Sequence, residues 1–130
     1  MDDSGTKYAL IIPDFIEEDV DFLYTELFLY SEKAADKFQT EFIEKLEQIT
    51  LWPLSCAVDT AYPSLAQRGV RKTVINNGKH IMLYMVYEQT IIIIMVERAE
   101  RDYITTFENN LRLVRTSTPD TCTKSAQNRP

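Results

Sequence analysis

Gly69-Val70-Arg71-Lys72-Thr73-Val74-Ile75, Asn76-Asn77-Gly78, Lys79-His80-Ile81-Met82-Leu83-Tyr84-Met85-Val86-Tyr87, Glu88-Gln89 and Thr90-Ile91-Ile92-Ile93-Ile94-Met95-Val96 follow one another without interruption. Three strand-like runs alternate with two short turn segments. Asn-Gly suits the positive φ angles of a tight hairpin turn, so the first two runs are expected to pair antiparallel. The run from Ile91 to Val96 has no polar alternation, which predicts a central strand covered on both faces. Cations flank this core at two points, Arg68-Gly69-Val70-Arg71-Lys72 before it and Arg98-Ala99-Glu100-Arg101 after it. A small antiparallel sheet is expected to bring them together, and that surface is the expected functional one.

Upstream, Lys7 to Ile12 is a short apolar run ended by Pro13, a first strand. Asp14-Phe15-Ile16-Glu17 offers a capping box at a helix start. Ile16, Val20, Leu23, Leu27 and Tyr30 then form the apolar stripe of an amphipathic helix. Ser31 can cap a second helix, with a stripe of Ala35, Phe38, Phe42 and Ile49 and with Leu46 alongside. It should stop near Trp52-Pro53, because proline disfavours helix in the residue before it. Phe38, Phe42 and Trp52 read as core beneath this helical hairpin. Residues 54–67 lack periodicity and read as a loop.

Downstream, Ile104, Phe107, Leu111 and Val114 form a third helical stripe, and residues 116–130 read as a polar, mobile tail after a single domain spanning 1–115. The expected order is therefore β-α-α-β-β-β-α. This is an α+β layer with a mostly antiparallel sheet and the helical hairpin packed on one face.

The charge is divided unevenly. The net −6 of the 130 residues combines fourteen carboxylates against four cations over residues 1–67 with an excess of cations over residues 68–115. Binding of free duplex DNA is dominated by phosphate neutralisation, so this surface as a whole is a poor match for it, whereas a focused basic patch remains compatible. Cys56 and Cys122 belong to no metal-ligand spacing. No metal or other cofactor is implied, and His80, the sole histidine, reads as a packing residue. The acidic N-terminus is unlike a secretory signal and no apolar run reaches the ~20 residues of a membrane span, so a cytoplasmic protein is expected.

Six segments, in order, are Asp21-Phe22-Leu23; Ser31-Glu32-Lys33-Ala34-Ala35-Asp36-Lys37-Phe38; Ile49-Thr50-Leu51-Trp52-Pro53; Gly69-Val70-Arg71; Leu83-Tyr84-Met85-Val86-Tyr87; and Glu100-Arg101-Asp102. Through them the chain resembles, over roughly residues 7–107, the RelE/ParE superfamily of toxins from bacterial type II toxin–antitoxin pairs, often labelled plasmid stabilisation proteins. The resemblance implies a growth inhibitor neutralised by a cognate antitoxin protein. ParE-like members bind DNA gyrase and trap it on DNA; RelE-like members cut mRNA in the ribosomal A site.

Cleavage of RNA needs a base, a cation for the phosphate and an acid for the leaving oxygen. Arg71 matches a family position that often faces the concave side of the sheet, and Lys72 points to the opposite face by strand alternation. Arg98 and Arg101 close the last strand and could converge on the same surface, with Tyr103 nearby. Aligned on Arg101, however, the cleaving members' arginine and distal tyrosine fall at Ala99 and Thr105, and His80 is far from the required place. No catalytic residue is assigned. The target-binding candidates are Arg71, Arg98, Arg101 and Tyr103, and a ParE-like gyrase inhibitor is expected ahead of a ribosome-dependent endoribonuclease or a member that has lost toxicity. Tyr84 and Tyr87 lie an odd number of residues apart, which predicts one in the core and one at the surface.

Overall fold

Residues 8–100 and 102–117 are described by the computed structural model, and they run β1 (Ala9–Ile11), α1 (Asp14–Tyr30), α2 (Glu32–Leu51), α3 (Pro63–Arg68), β2 (Arg71–Ile75), β3 (His80–Tyr87), β4 (Thr90–Arg98) and α4 (Ile104–Ser117). The fold is α+β, as expected. The four-stranded sheet has the order β1-β4-β3-β2 and is mixed. The two hairpins β2–β3 and β3–β4 are antiparallel, while β1 pairs parallel with β4, Ala9 opposite Thr90 and Ile11 opposite Ile92. None of the described helices is long and apolar enough to cross a membrane.

Local chemistry accounts for most boundaries. Ser31 ends α1 and caps α2, its side chain accepting from the Ala34 amide at 3.2 Å, which satisfies one of the orphan donors of a helix start. α2 stops at Leu51, just before Trp52-Pro53, as proline requires. Two elements depart from expectation. The capping box at Asp14 does not form. α1 starts from Pro13, whose carbonyl accepts from Ile16 and Glu17, and Asp14 and Glu17 serve only as first-turn carboxylates. The segment read as a loop contains α3, with Pro63 in its first turn and Gly69 closing it at φ 70°. Proline and glycine, taken as loop signals, here mark a helix start and stop.

At the first hairpin, Asn76, Asn77 and Gly78 all adopt positive φ, and the turn extends through Lys79 so that Ile75 faces His80. In β4 the register slips: Leu83 faces Met95 but Tyr84 faces Ile93, leaving Ile94 as the extra residue of a β-bulge. The Ile94 carbonyl accepts from Asn110 Nδ2 of α4 at 2.9 Å, so the bulge is tied to the helix packed above it.

The sheet is covered on both faces, which explains the unbroken apolar run of β4. On one face Ile16 and Leu23 of α1 and Phe38, Phe42 and Ile49 of α2 bury Ile75, Met82, Tyr84, Ile91 and Ile93. On the other, Leu65 of α3 and Tyr103, Phe107 and Leu111 at α4 bury Ile81, Leu83, Ile94 and Met95. Trp52 does not belong to the core as expected: it lies past the last turn of α2 and is 67% exposed. Tyr84 is fully buried and Tyr87 is exposed, in line with their odd spacing. The polar tail expected from 116 loses its first two residues to α4; the rest of that segment lies outside the described residues.

Candidate functional site

The end of the sheet where β3 begins and β4 finishes meets the end of the helical hairpin. Because β3 and β4 are antiparallel, His80 faces Arg98 directly, and both side chains lie on the face covered by α1 and α2. Glu26, Leu27, Leu29 and Tyr30 from the last turns of α1, Ala34 from α2, and Lys79, His80, Arg98 and Glu100 from the sheet wall a cleft of about 720 Å³.

Arg98 lies at the centre of its charge network. Its Nη1 reaches Glu26 Oε1 at 3.2 Å and Oε2 at 3.3 Å, and its Nε lies 3.8 Å from Glu100 Oε2. That Nε is buried and makes no hydrogen bond. His80 is buried beside it. Its Nδ1 lies 3.2 Å from Asn76 Nδ2 and its ring packs on Phe38 with centroids 4.7 Å apart. An amide nitrogen can only donate, so Nδ1 accepts and the imidazole proton resides on Nε2. Burial pushes the His80 pKa down, Arg98 adds to that, and the carboxylates of Glu100, Glu97 and Glu26 oppose it. The lip of the cleft is apolar and open: Leu29 is 83% and Tyr30 90% exposed. Tyr30, which its spacing placed on the buried stripe, thus faces water at the last residue of α1.

Among the described residues, the sequence-predicted candidates Arg71, Arg98 and Tyr103 do not converge. Arg71 faces Tyr84 in the pairing of β2 with β3, whereas Arg98 faces His80; four residues of β3 separate them, about 13 Å along the strand. β2 starts at one end of the sheet and β4 finishes at the other, which two successive antiparallel reversals dictate. Arg71 is committed internally: its Nη1 donates to the Cys56 carbonyl at 2.6 Å and the Leu54 carbonyl at 3.4 Å, clamping the segment after α2. Lys72 lies on the opposite face, as alternation requires, with its ammonium 5.9 Å from the Tyr103 ring.

Tyr103 is buried on that same opposite face and donates to Asp59 Oδ2 at 2.7 Å. Its pKa is raised, first by burial and then by the hydrogen bond to Asp59. Tyr84 is likewise raised by burial, and its hydroxyl donates to the Pro53 carbonyl at 2.8 Å. Arg101 lies outside the described residues. Ala99 is half-buried against the α4 layer and Thr105 is exposed on α4. Of the three candidates among the described residues, Arg71, Arg98 and Tyr103, only Arg98 lines the cleft.

Glu26, Asn76 and Lys79 were not anticipated. Glu26 had a detectable signal, the one charged residue in the otherwise uncharged helix end from Phe22 to Tyr30. Asn76 was read only as a turn residue, and its side-chain role depends on a pairing that only the folded hairpin creates. Chemically the cleft offers a guanidinium already balanced by carboxylates, a neutral imidazole and exposed apolar side chains. Among the described residues, no group of three or more His, Cys, Asp and Glu is arranged to hold a metal ion. The chain matches no protein-family model and no curated protein sequence.

Proposed function

We propose that this chain acts by binding another protein, as a ParE-like toxin that inhibits DNA gyrase and is neutralised by a cognate antitoxin, and that the cleft between the helical hairpin and the Arg98 end of the sheet contributes to binding. One observation carries this reading. The phenols of Tyr84 and Tyr103 and the imidazole of His80 are buried and tied to internal partners, while the side chains left open at the cleft, Leu29 and Tyr30, are of the kind that anchors protein interfaces. Two neighbours on α1, Phe22 and Phe28, are exposed as well.

A strand-end nuclease would need a cation and a titratable group in contact with the scissile phosphate. Arg71 is turned to backbone carbonyls and Arg98 to Glu26, so neither is presented as a free phosphate ligand. The observed order differs from the expected β-α-α-β-β-β-α only by the six-residue α3, which supports the RelE/ParE-like reading of the fold. The acidic hairpin suits an antitoxin segment carrying basic residues, whose encounter such charge would speed.

The test uses purified chain. It should inhibit gyrase supercoiling or stabilise the cleaved-DNA complex, should leave mRNA on programmed ribosomes intact, and should lose gyrase inhibition at least tenfold in Tyr30→Ala and Arg98→Ala. Codon-position cuts on ribosomes that vanish in Arg71→Ala would instead establish the endoribonuclease reading. Inactivity in both assays would leave a member without toxicity.

A further inference from the structure

The turn between β2 and β3 holds successive residues in the left-handed region, Asn76 and Asn77 at φ 57° and Gly78 at φ 83°. The two asparagines are held very differently. Asn76 is buried; its backbone N–H donates to Glu41 Oε1 at 2.5 Å and its side-chain amide to His80 Nδ1 at 3.2 Å. Asn77 is exposed, and so is Gly78, where even an added Cβ would meet nothing within 4 Å. Asn109, also exposed, is fixed inside α4 with Asn110 after it, and Asn110 is buried on the Ile94 carbonyl. We propose that Asn77 is a site of spontaneous covalent modification, intramolecular deamidation through a succinimide to aspartate and isoaspartate, and that this conversion loosens the clamp between Glu41 and the hairpin turn.

The reaction needs only this chain and water. The Gly78 backbone nitrogen attacks Cγ of Asn77, forming a C–N bond and closing a cyclic imide. The side-chain nitrogen leaves as ammonia, carrying the proton that the Gly78 amide gives up. Water then opens the imide at either carbonyl, giving aspartate, or isoaspartate whose backbone runs through the side-chain carbon. Nucleophile and electrophile sit on adjacent residues, so the attack gains the advantage of an intramolecular step. Glycine favours it because no side chain shields its nitrogen. The Gly78 N–H donates to the Ile75 carbonyl at 3.2 Å, the long end of the N–H···O range, and a hairpin tip opens more readily than the strands it joins.

The product bears on the clamp by charge and by geometry. Glu41, Glu44 and Lys45 of α2 wall a cleft of about 380 Å³ with Asn77 and Gly78. A carboxylate at position 77 adds like charge to a rim that already carries Glu41 and Glu44, and such charges repel. Isoaspartate also lengthens the backbone by a carbon beside Asn76, whose hydrogen bonds reach Glu41 on one side and His80 on the other. The inference is independent of the toxin reading, because it concerns the isolated chain.

Purified full-length chain, incubated at mildly alkaline pH both folded and unfolded in urea, tests it by peptide mapping with mass spectrometry. The folded chain should convert at Asn77 ahead of Asn76 and Asn109, within about tenfold of the unfolded rate, giving two acidic products that separate on chromatography. His80 is the sole histidine, so its ring-proton resonances report on the Asn76 contact without ambiguity. A second set should grow in step with the converted fraction. Asn77→Gln should slow conversion at least tenfold and keep a single set. An Asn77 that stays intact in the folded chain while the unfolded chain converts overturns the proposal, and so does earlier conversion at Asn76 or Asn109. Conversion that leaves the His80 resonances unmoved overturns the loosened clamp. The time course on the unaltered chain decides the matter even if Asn77→Gln fails to fold.

Discussion

Arg98 and Glu26 join the last strand to the first helix through a guanidinium that reaches both carboxylate oxygens, at 3.2 and 3.3 Å. Each side chain keeps about a third of its surface in water. An ion pair this exposed is worth about 0.5–1 kcal/mol. A double-mutant cycle of Glu26→Gln with Arg98→Gln, followed by urea unfolding, should return a coupling of that size that shrinks in high salt. A coupling above ~3 kcal/mol would show that the pair behaves as a buried one.

His80 is held neutral by burial, so its folded pKa lies below the unfolded value of about 6.5. Below that unfolded value the open chain binds a proton that the native state refuses. Its contribution is therefore fully present above about pH 6.5 and is lost as the pH falls toward the depressed folded pKa. The melting temperature should fall between pH 7.5 and 5.5, a window above most carboxylate titrations, and the slope should flatten in His80→Phe. An equal slope in both proteins would assign the effect to other groups.

Asn110 is buried and donates to the carbonyl of the bulge residue Ile94. Replacing it with leucine strands that acceptor under α4, at a cost of about 1–3 kcal/mol. Hydrogen exchange should then show the protection of α4 falling more than that of α2. Uniform loss across both would indicate that α4 is not a separable layer.

Two aromatic residues of the helical hairpin should differ sharply. Phe38 is fully buried, and Phe38→Ala should cost about 3–5 kcal/mol. Trp52 is largely exposed, and Trp52→Ser should change chain stability by less than about 0.5 kcal/mol. Chemical denaturation of both variants gives the comparison directly.

The apolar periodicities were sufficient to read both long helices, the two hairpins and the doubly covered strand, because each reflects a burial pattern internal to one element. What escaped depends on relations between elements. Trp52 carries the hydrophobicity of a core residue, but its position one residue past α2 takes it off the buried stripe. The bulge at Ile94 lies within four successive isoleucines, where no change of residue type marks the slip. The separation of Arg71 from Arg98 follows from strand direction once the hairpins are known, yet reading both as one cationic surface considered charge and not direction. Tyr103 was visible as a polar aromatic near the last strand. Its commitment to Asp59, 44 residues away in sequence, was not.

The parallel pairing of β1 has a consequence for the order in which the chain folds. Ala9 meets Thr90 across 81 residues of sequence, whereas β3 and β4 meet across a two-residue turn. Long loops are slow to close, so the local hairpins form first and β1 docks onto an edge already in place. During synthesis β1 emerges early and must wait for nearly the whole domain before its partner exists, and its apolar run is exposed to other chains meanwhile. Refolding followed at β1 and at β3 should accordingly show β1 gaining amide protection last.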